Sequence, residues 1–441
     1  MKYCLAIVFI CTGLFIPLAQ GTPPQDLSAV YRKHARPLSA TSDLTPLISA
    51  AKDKRLVLLG ESSHGTREFY TWRAEISRRL IETGGISFIA VEGDWISLAR
   101  LNRYIRHEPW TLASARHALM IPNRWPRWMW ANEEFVEFAE WLRAFNSARS
   151  PENRVSLYGI DIFSPWEAMD AVLDWYRSHH PDQFDRMSDQ YATFAAFRDD
   201  PHGYARAVEA MDDQERGVAK VLRNTIALWQ NSQDSTRQAA FFAKQSAHVV
   251  SAAEEYYRTM GQSASHAWNT RATHMHETVG RLLAVNGTES KGIVWAHNTH
   301  IGDARATSMV QRGMHNIGQL SRQQLGEDNV FLVGFTTGQG TVLASRRWGG
   351  PRESMRIPSP PNDSFEAVLK TLAMGDALLI FPPSDALPPV LQHTIGHRAI
   401  GVIYQPEQDH RQYVPTTPAR RYNALLYVDN STALTPLHEK E

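Results

Sequence analysis

Short apolar runs recur along this chain at spacings that leave room for helices between them. They are Arg55–Gly60 (RLVLLG), Ser87–Val91, Val155–Ile160, Gly292–Ala296, Val330–Phe335, Thr341–Ser345, Ala377–Phe381, Ala399–Tyr404 and Ala424–Val428. Each is too short for a buried helix. The most continuous match strands covered on both faces of a sheet. Helical patterns separate the early runs. Apolar residues at Phe69, Trp72, Ile76 and Leu80 share a stripe that stops at Gly84-Gly85. Asp94 stands where it can cap a helix carrying Trp95, Leu98, Leu101 and Ile105, and Ser164-Pro165-Trp166-Glu167 has the form of a helix start. This alternation predicts an α/β fold: a central, mostly parallel sheet flanked by helices. Residues 165–288 differ, with no strand-like run and long helical stretches at Asp212–Trp229 and Thr236–Met260. They read as a large helical insertion, either core cover or one wall of a cleft. The expected layout is a signal at 1–21, a linker at 22–40, core segments at 41–164 and 289–437, and the insertion between them.

The N-terminus has the form of a secretory signal. Met1-Lys2 is followed by an apolar stretch to Ala19, and Ala19-Gln20-Gly21 offers a small-x-small cleavage site. The protein is therefore expected to be exported, periplasmic or secreted from a bacterium, with no membrane segment in its mature form. Both cysteines, Cys4 and Cys11, fall inside this stretch. The remainder has no thiol for a disulfide, a nucleophile or a zinc ligand. Basic and acidic residues balance at 46 each, so no cationic surplus points to nucleic acid. Chemistry must come from histidines, carboxylates, hydroxyls and arginines.

Ionisable residues follow four strand runs directly: Glu61 after LVLLG, Glu92 after FIAV, Asp161 after LYGI and His297 after IVWA. In an open α/β sheet, ligands bind beyond the carboxyl ends of the strands. Any one such residue is more often a helix cap or turn former; four at one edge suggest a site. Within Gly60-Glu61-Ser62-Ser63-His64-Gly65-Thr66, His64 precedes a helix whose dipole favours a neutral ring, the form a general base needs. Glu61 or Glu92 can hold its other nitrogen. Arg73, two turns into that helix, can orient a carboxylate or stabilise an oxyanion. After the IVWA run, His297 and His300 can converge on one point, and Asn298 adds an amide. The pairs His274/His276 and His393/His397 lack a strand-end setting and are read as surface residues. Ser62 and Ser63 do not sit in the Gly-x-Ser-x-Gly elbow of serine hydrolases, which favours activated water. The same Glu and His residues are also suitable ligands for zinc, manganese or iron, although no His-Glu-x-x-His motif is present. The stretch from Asn123 to Trp130, with Trp125 and Trp128, can line a cleft for a bulky apolar group or a sugar, or pack as core.

Taken in order, Gly60–Glu68 (GESSHGTRE), Ala90–Trp95 (AVEGDW), Tyr158–Ile162 (YGIDI), Trp295–Ile301 (WAHNTHI), Met314–Leu320 and Val333–Ala344 resemble the erythromycin esterase family across about residues 40–430. That family hydrolyses the lactone ring of 14-membered macrolides. The resemblance implies a carboxylic ester hydrolase acting on a small-molecule ester or macrolide. It implies a first-loop glutamate and water-activating histidine at Glu61 and His64, a helix arginine at Arg73, a second glutamate at Glu92 and a histidine pair at His297 and His300. Members are described both as metal-independent and as metal-sensitive. The expectation here is no required cofactor, with a divalent metal as the open alternative. The macrolide-cleaving members look cytoplasmic, which this chain's apparent signal departs from. Gly396–Leu437 resembles the broader esterase-like relatives more than the resistance enzymes. An ester in an extracellular or envelope compound, such as an acyl group on a polysaccharide, is therefore a further candidate. The competing reading is a binding protein on the same scaffold, holding a metal, iron or haem through the His/Glu cluster.

Overall fold

The computed structural model describes residues 26–109, 111–122, 124–198, 200–207, 214–231 and 234–438. The signal-like stretch 1–21, with Cys4 and Cys11, and Asn123 lie outside the described residues. The described strands are β1 (Ala35–Pro37), β2 (Leu56–Leu59), β3 (Ile86–Asp94), β4 (Ser156–Asp161), β5 (Lys291–Trp295), β6 (Val330–Ser345), β7 (Arg352–Ile357), β8 (Ala377–Ile380), β9 (Ile395–Arg398), β10 (Tyr413–Thr416) and β11 (Ala424–Ser431). The main sheet runs β1-β8-β11-β6-β2-β5-β3-β4, with β7 on the far half of β6. The pairs from β11 through β4 are all parallel. Those made by β1, β8 and β7 are antiparallel. This is the expected α/β architecture, a mostly parallel sheet between helices.

The strand periodicity distributes the core. Leu56 and Leu58 face one side of the sheet with Ala90, Val294 and Leu332. Val57 and Leu59 face the other with Ile89, Val91, Ile293 and Val333. Alternate side chains of one strand thus feed separate cores, which is why β2 is apolar and buried at every position. The Val57 side is covered by helices Arg67–Gly84 and Glu133–Ser147. The first ends on Gly85, whose φ of 69° is the left-handed cap that glycine accepts without strain. The Leu56 side is covered by helices that run from Pro165 to Val285 with no strand among the described residues.

Four expectations change. The stretch 22–40 is not simply a linker: helix Leu27–His34 buries Leu27 and Tyr31 in the core, and β1 pairs with β8. The runs Val330–Phe335 and Thr341–Ser345 are one long strand, β6. The run Ala399–Tyr404 is not a strand. It makes isolated bridges from Ile400 to Ser63 and from Ile403 to Ser345, and is apolar because Ile400 and Tyr404 pack against Val342, Ala344, Met355 and Ile357. Asp94 does stand at the start of helix Trp95–Ile105, but its carboxylate accepts from Arg124 Nη1 at 2.7 Å instead of capping the helix. Among the described residues no helix is long and apolar enough to cross a membrane.

Candidate active site

Parallel pairing of β2, β5, β3 and β4 brings their carboxyl ends to one edge, and the loops there build the site. The turn from β2 into helix Arg67–Gly84 is pinned at Gly65, whose carbonyl accepts from the amides of Leu343 and Leu434. A Cβ at Gly65 would meet the Leu343 carbonyl oxygen at 1.8 Å, so only glycine allows this approach. Glu92 lies within β3 itself, where the register against β4 shifts between Val91 and Asp94. A bulge of this kind re-aims side chains at a sheet end.

His64 and Glu61 form one half of the site. His64 Nδ1 donates to Glu61 Oε1 at 2.8 Å, and Arg73 Nη2 lies 2.7 Å from the other carboxylate oxygen. Arg73 is fully buried, with its guanidinium over the rings of Tyr70 and Trp295 at 4.3 and 4.9 Å. It stands behind Glu61 and off the cavity wall. Of the two roles open to it, orienting a carboxylate is the one its place permits. His64 Nε2 takes no partner among the described residues and His64 lines the cavity.

Glu92 organises the other half. One oxygen accepts the His297 amide at 2.8 Å; the other accepts from Arg271 Nη2 at 2.8 Å and lies 3.3 Å from His300 Nε2. Arg271 also grips Asp161 with two donors, Nε at 2.8 Å and Nη2 at 2.6 Å, a bidentate clamp. His300 stacks on Trp268 at 4.6 Å with the planes 7° apart. His297 Nδ1 is 2.8 Å from the Thr299 hydroxyl and accepts from the Thr299 amide at 3.3 Å. An accepting Nδ1 places the proton on Nε2, which finds no well-aligned acceptor. The rings of His64 and His297 stand 4.9 Å apart.

The electrostatics divide the two rings. Burial disfavours a charged His64, but the Glu61 hydrogen bond and the charges of Glu92 and Glu61 outweigh it and raise its pKa. The helix-dipole argument for a neutral ring is thus overridden by two nearby carboxylates. Burial, reinforced by His64, holds His297 well below the ordinary histidine value, so it is a neutral donor. Burial also opposes the charge on Glu92, yet His300, Arg271 and His64 keep its carboxyl well below the usual range.

These groups open onto a cavity of about 540 Å³. His64, Glu92, Asp161, His297 and His300 line it, and so does Trp125, which packs at a tilt against Trp348 and donates to the Gly350 carbonyl. Trp128 and Asn298 do not. Trp128 packs in the core beneath the sheet. The Asn298 amide is spent on the backbone of Phe335, donating at 2.7 Å and accepting at 3.3 Å. Both are structural, in place of the substrate contacts expected of them. Ser62 and Ser63 are fully buried away from the wall, Ser63 bonded to Thr66. Among the described residues no group of three or more His, Cys, Asp and Glu side chains is arranged to hold a metal. The histidine pairs read as surface residues need correction: His274 is buried, and His397 is fully buried with Nδ1 2.7 Å from Glu366. Arg271 was missed by sequence reasoning. It sits mid-helix, where arginine is ordinary, and the one trace is Trp268 a turn earlier on the same stripe.

A family model described as erythromycin esterase matches residues 81–431, beginning after the loop that carries Glu61 and His64. A putative hydrolase, YbfO, of Bacillus subtilis (strain 168) is 22% identical over 362 residues, covering 77% of each chain. Erythromycin esterase type II of Escherichia coli is 22% identical over 374 residues, 77% of this chain and 83% of that one. A solved structure described as a succinoglycan biosynthesis protein superposes with a TM-score of 0.75 at 18% identity, covering 93% of this chain and 98% of that chain.

Proposed function

The chain belongs to the erythromycin esterase family, and from that premise we propose that it hydrolyses an ester or lactone with water activated by His64. The family makes it a hydrolase of the esterase type. The observation that carries the finer reading is the His64–Glu61–Arg73 relay. Glu61 holds Nδ1 and Arg73 fixes Glu61, which leaves Nε2 of a cavity-lining ring to work on a ligand. Nε2 takes a proton from water as the oxygen attacks the carbonyl carbon. The tetrahedral oxyanion is met by the Nε2–H of His297. Collapse expels the alkoxide, which recovers the proton from His64.

No metal is required in this scheme. The Glu92 oxygens are already engaged by Arg271 and the His297 amide, and His300 is stacked on Trp268. We further propose export, on the form of residues 1–21. The test is hydrolysis of 2-naphthyl butyrate, and of a 14-membered macrolide followed by mass spectrometry, with and without EDTA. Turnover that persists in EDTA is expected. Bound iron or haem with no turnover of any ester would support a binding protein instead.

A further inference from the structure

We propose that the natural substrate of this site is a bulky, ring-containing ester carrying an anionic group, and that Arg312 at the cavity wall selects for that charge; this rests on the esterase reading above. Trp125, Trp130, Trp166, Trp268 and Trp348 all line the cavity, with Phe163, Tyr256 and Tyr257. Such a wall takes flat or compact apolar groups by stacking.

The charges on the wall are unequal. Its carboxylates are matched by arginines: Glu92 and Asp161 by Arg271, Asp94 by Arg124. Arg124 and Arg198 also reach Glu167 and Asp170. Arg312 differs. It is half-buried on the wall and its side chain has no ion pair or hydrogen bond among the described residues. Its position is nonetheless fixed. The turn Val310–Arg312 closes with Gly313 at a φ of 66°, and the Met309 carbonyl accepts from both the Arg312 and Met314 amides. Asn269 and Trp268 donate to the carbonyls of Gly313 and His315, tying this turn to the helix that carries Arg271. Trp268 in turn backs His300. A partly desolvated guanidinium with no protein counterion gains most from an anion that enters the cavity. A cationic group would meet like charge there.

The test has a binding arm and a turnover arm. In the first, 6-hydroxynaphthalene-2-sulfonate and 2-naphthol are titrated by fluorescence into the intact protein. The sulfonate is expected to bind about tenfold more tightly, a gap that narrows at about 0.5 M salt. Arg312→Gln should remove the preference without weakening 2-naphthol, and Arg312→Lys should keep part of it. In the second arm, 2-naphthyl butyrate is compared with its 6-sulfonate and 6-trimethylammonium forms, each normalised to its hydroxide-catalysed rate. The order sulfonate, neutral, cation is expected, expressed in KM. Equal binding of sulfonate and naphthol, or a preference that survives in Arg312→Gln, overturns the inference whether or not any ester is turned over. Absent turnover with the binding preference intact contradicts the esterase reading and leaves the anion selectivity of Arg312 upheld.

Discussion

Arg271 Nη2 donates to Glu92 Oε1 at 2.8 Å, joining a helix that covers one face of the sheet to the strand end that contacts His297 and His300. The same guanidinium clamps Asp161 and touches His300 Nε2 at 3.2 Å. One side chain therefore pairs with two buried carboxylates and reaches the second histidine of the loop after β5. It also makes the helical cover part of the site.

Arg271→Met is expected to cost more than a surface ion pair would. Removing one partner of a buried charge cluster leaves the other uncompensated, at about 3–5 kcal/mol. Urea unfolding followed by tryptophan fluorescence measures it. Adding Asp161→Asn to Arg271→Met should recover part of the loss, since one stranded charge is removed. A single variant as stable as the parent would show that the clamp carries no such burden.

Neither serine of the Gly60–Thr66 loop should matter to the chemical step. Ser62→Ala and Ser63→Ala are expected to keep kcat on 2-naphthyl butyrate within about threefold, far less than the 10²–10⁴-fold effect of a general base. Rapid-quench mass spectrometry should find no acyl-protein. An acyl adduct on either serine would replace activated water with a covalent route.

Stability should fall as pH drops below neutrality. His274 and His297 are held well below the ordinary histidine pKa, His248 is lowered to about 3 and His397 is lowered, each chiefly by burial. The unfolded chain then binds protons from pH 6.5 downward that the folded chain refuses, so stability declines through that window. Each such histidine steepens the slope by up to about 1.4 kcal/mol per pH unit. His64 works the other way, because its raised pKa lets the folded state take a proton first. Thermal melts stepped from about pH 8 to about pH 5 should show a net fall. A flat profile would contradict the burial of these rings as neutral groups.

The core of the fold and half of the site are legible in the chain for one shared reason. A central parallel strand is apolar on both faces, so β2, β3, β4 and β5 stand out as runs, and whatever follows each run is at the ligand-binding edge. Glu61, His64, Glu92, Asp161, His297 and His300 are found that way. The elements that escape are those whose partners lie on one side only. β7 (RESMRI) alternates little and pairs with β6, and β9 lies in a two-stranded sheet with β10 outside the main sheet. Arg271 escapes because its partners Asp161 and Glu92 are 110 and 179 residues away. His397 looked like a surface residue because its partner Glu366 comes from another element. Asn298, beside two site histidines in sequence, turned inward to the backbone of Phe335 instead.

The proposed role of His64 as the base is tested most directly by the pH–rate profile of the parent protein beside the His64→Ala variant. A base must be neutral, so kcat/KM should rise with pH through an acid limb centred above the ordinary histidine value of 6.5, as the charges of Glu61 and Glu92 require. On the plateau, His64→Ala should lose about 10²–10⁴-fold in kcat/KM on 2-naphthyl butyrate, with its melting transition retained. A folded His64→Ala protein that keeps the parental rate and the same acid limb would contradict the account.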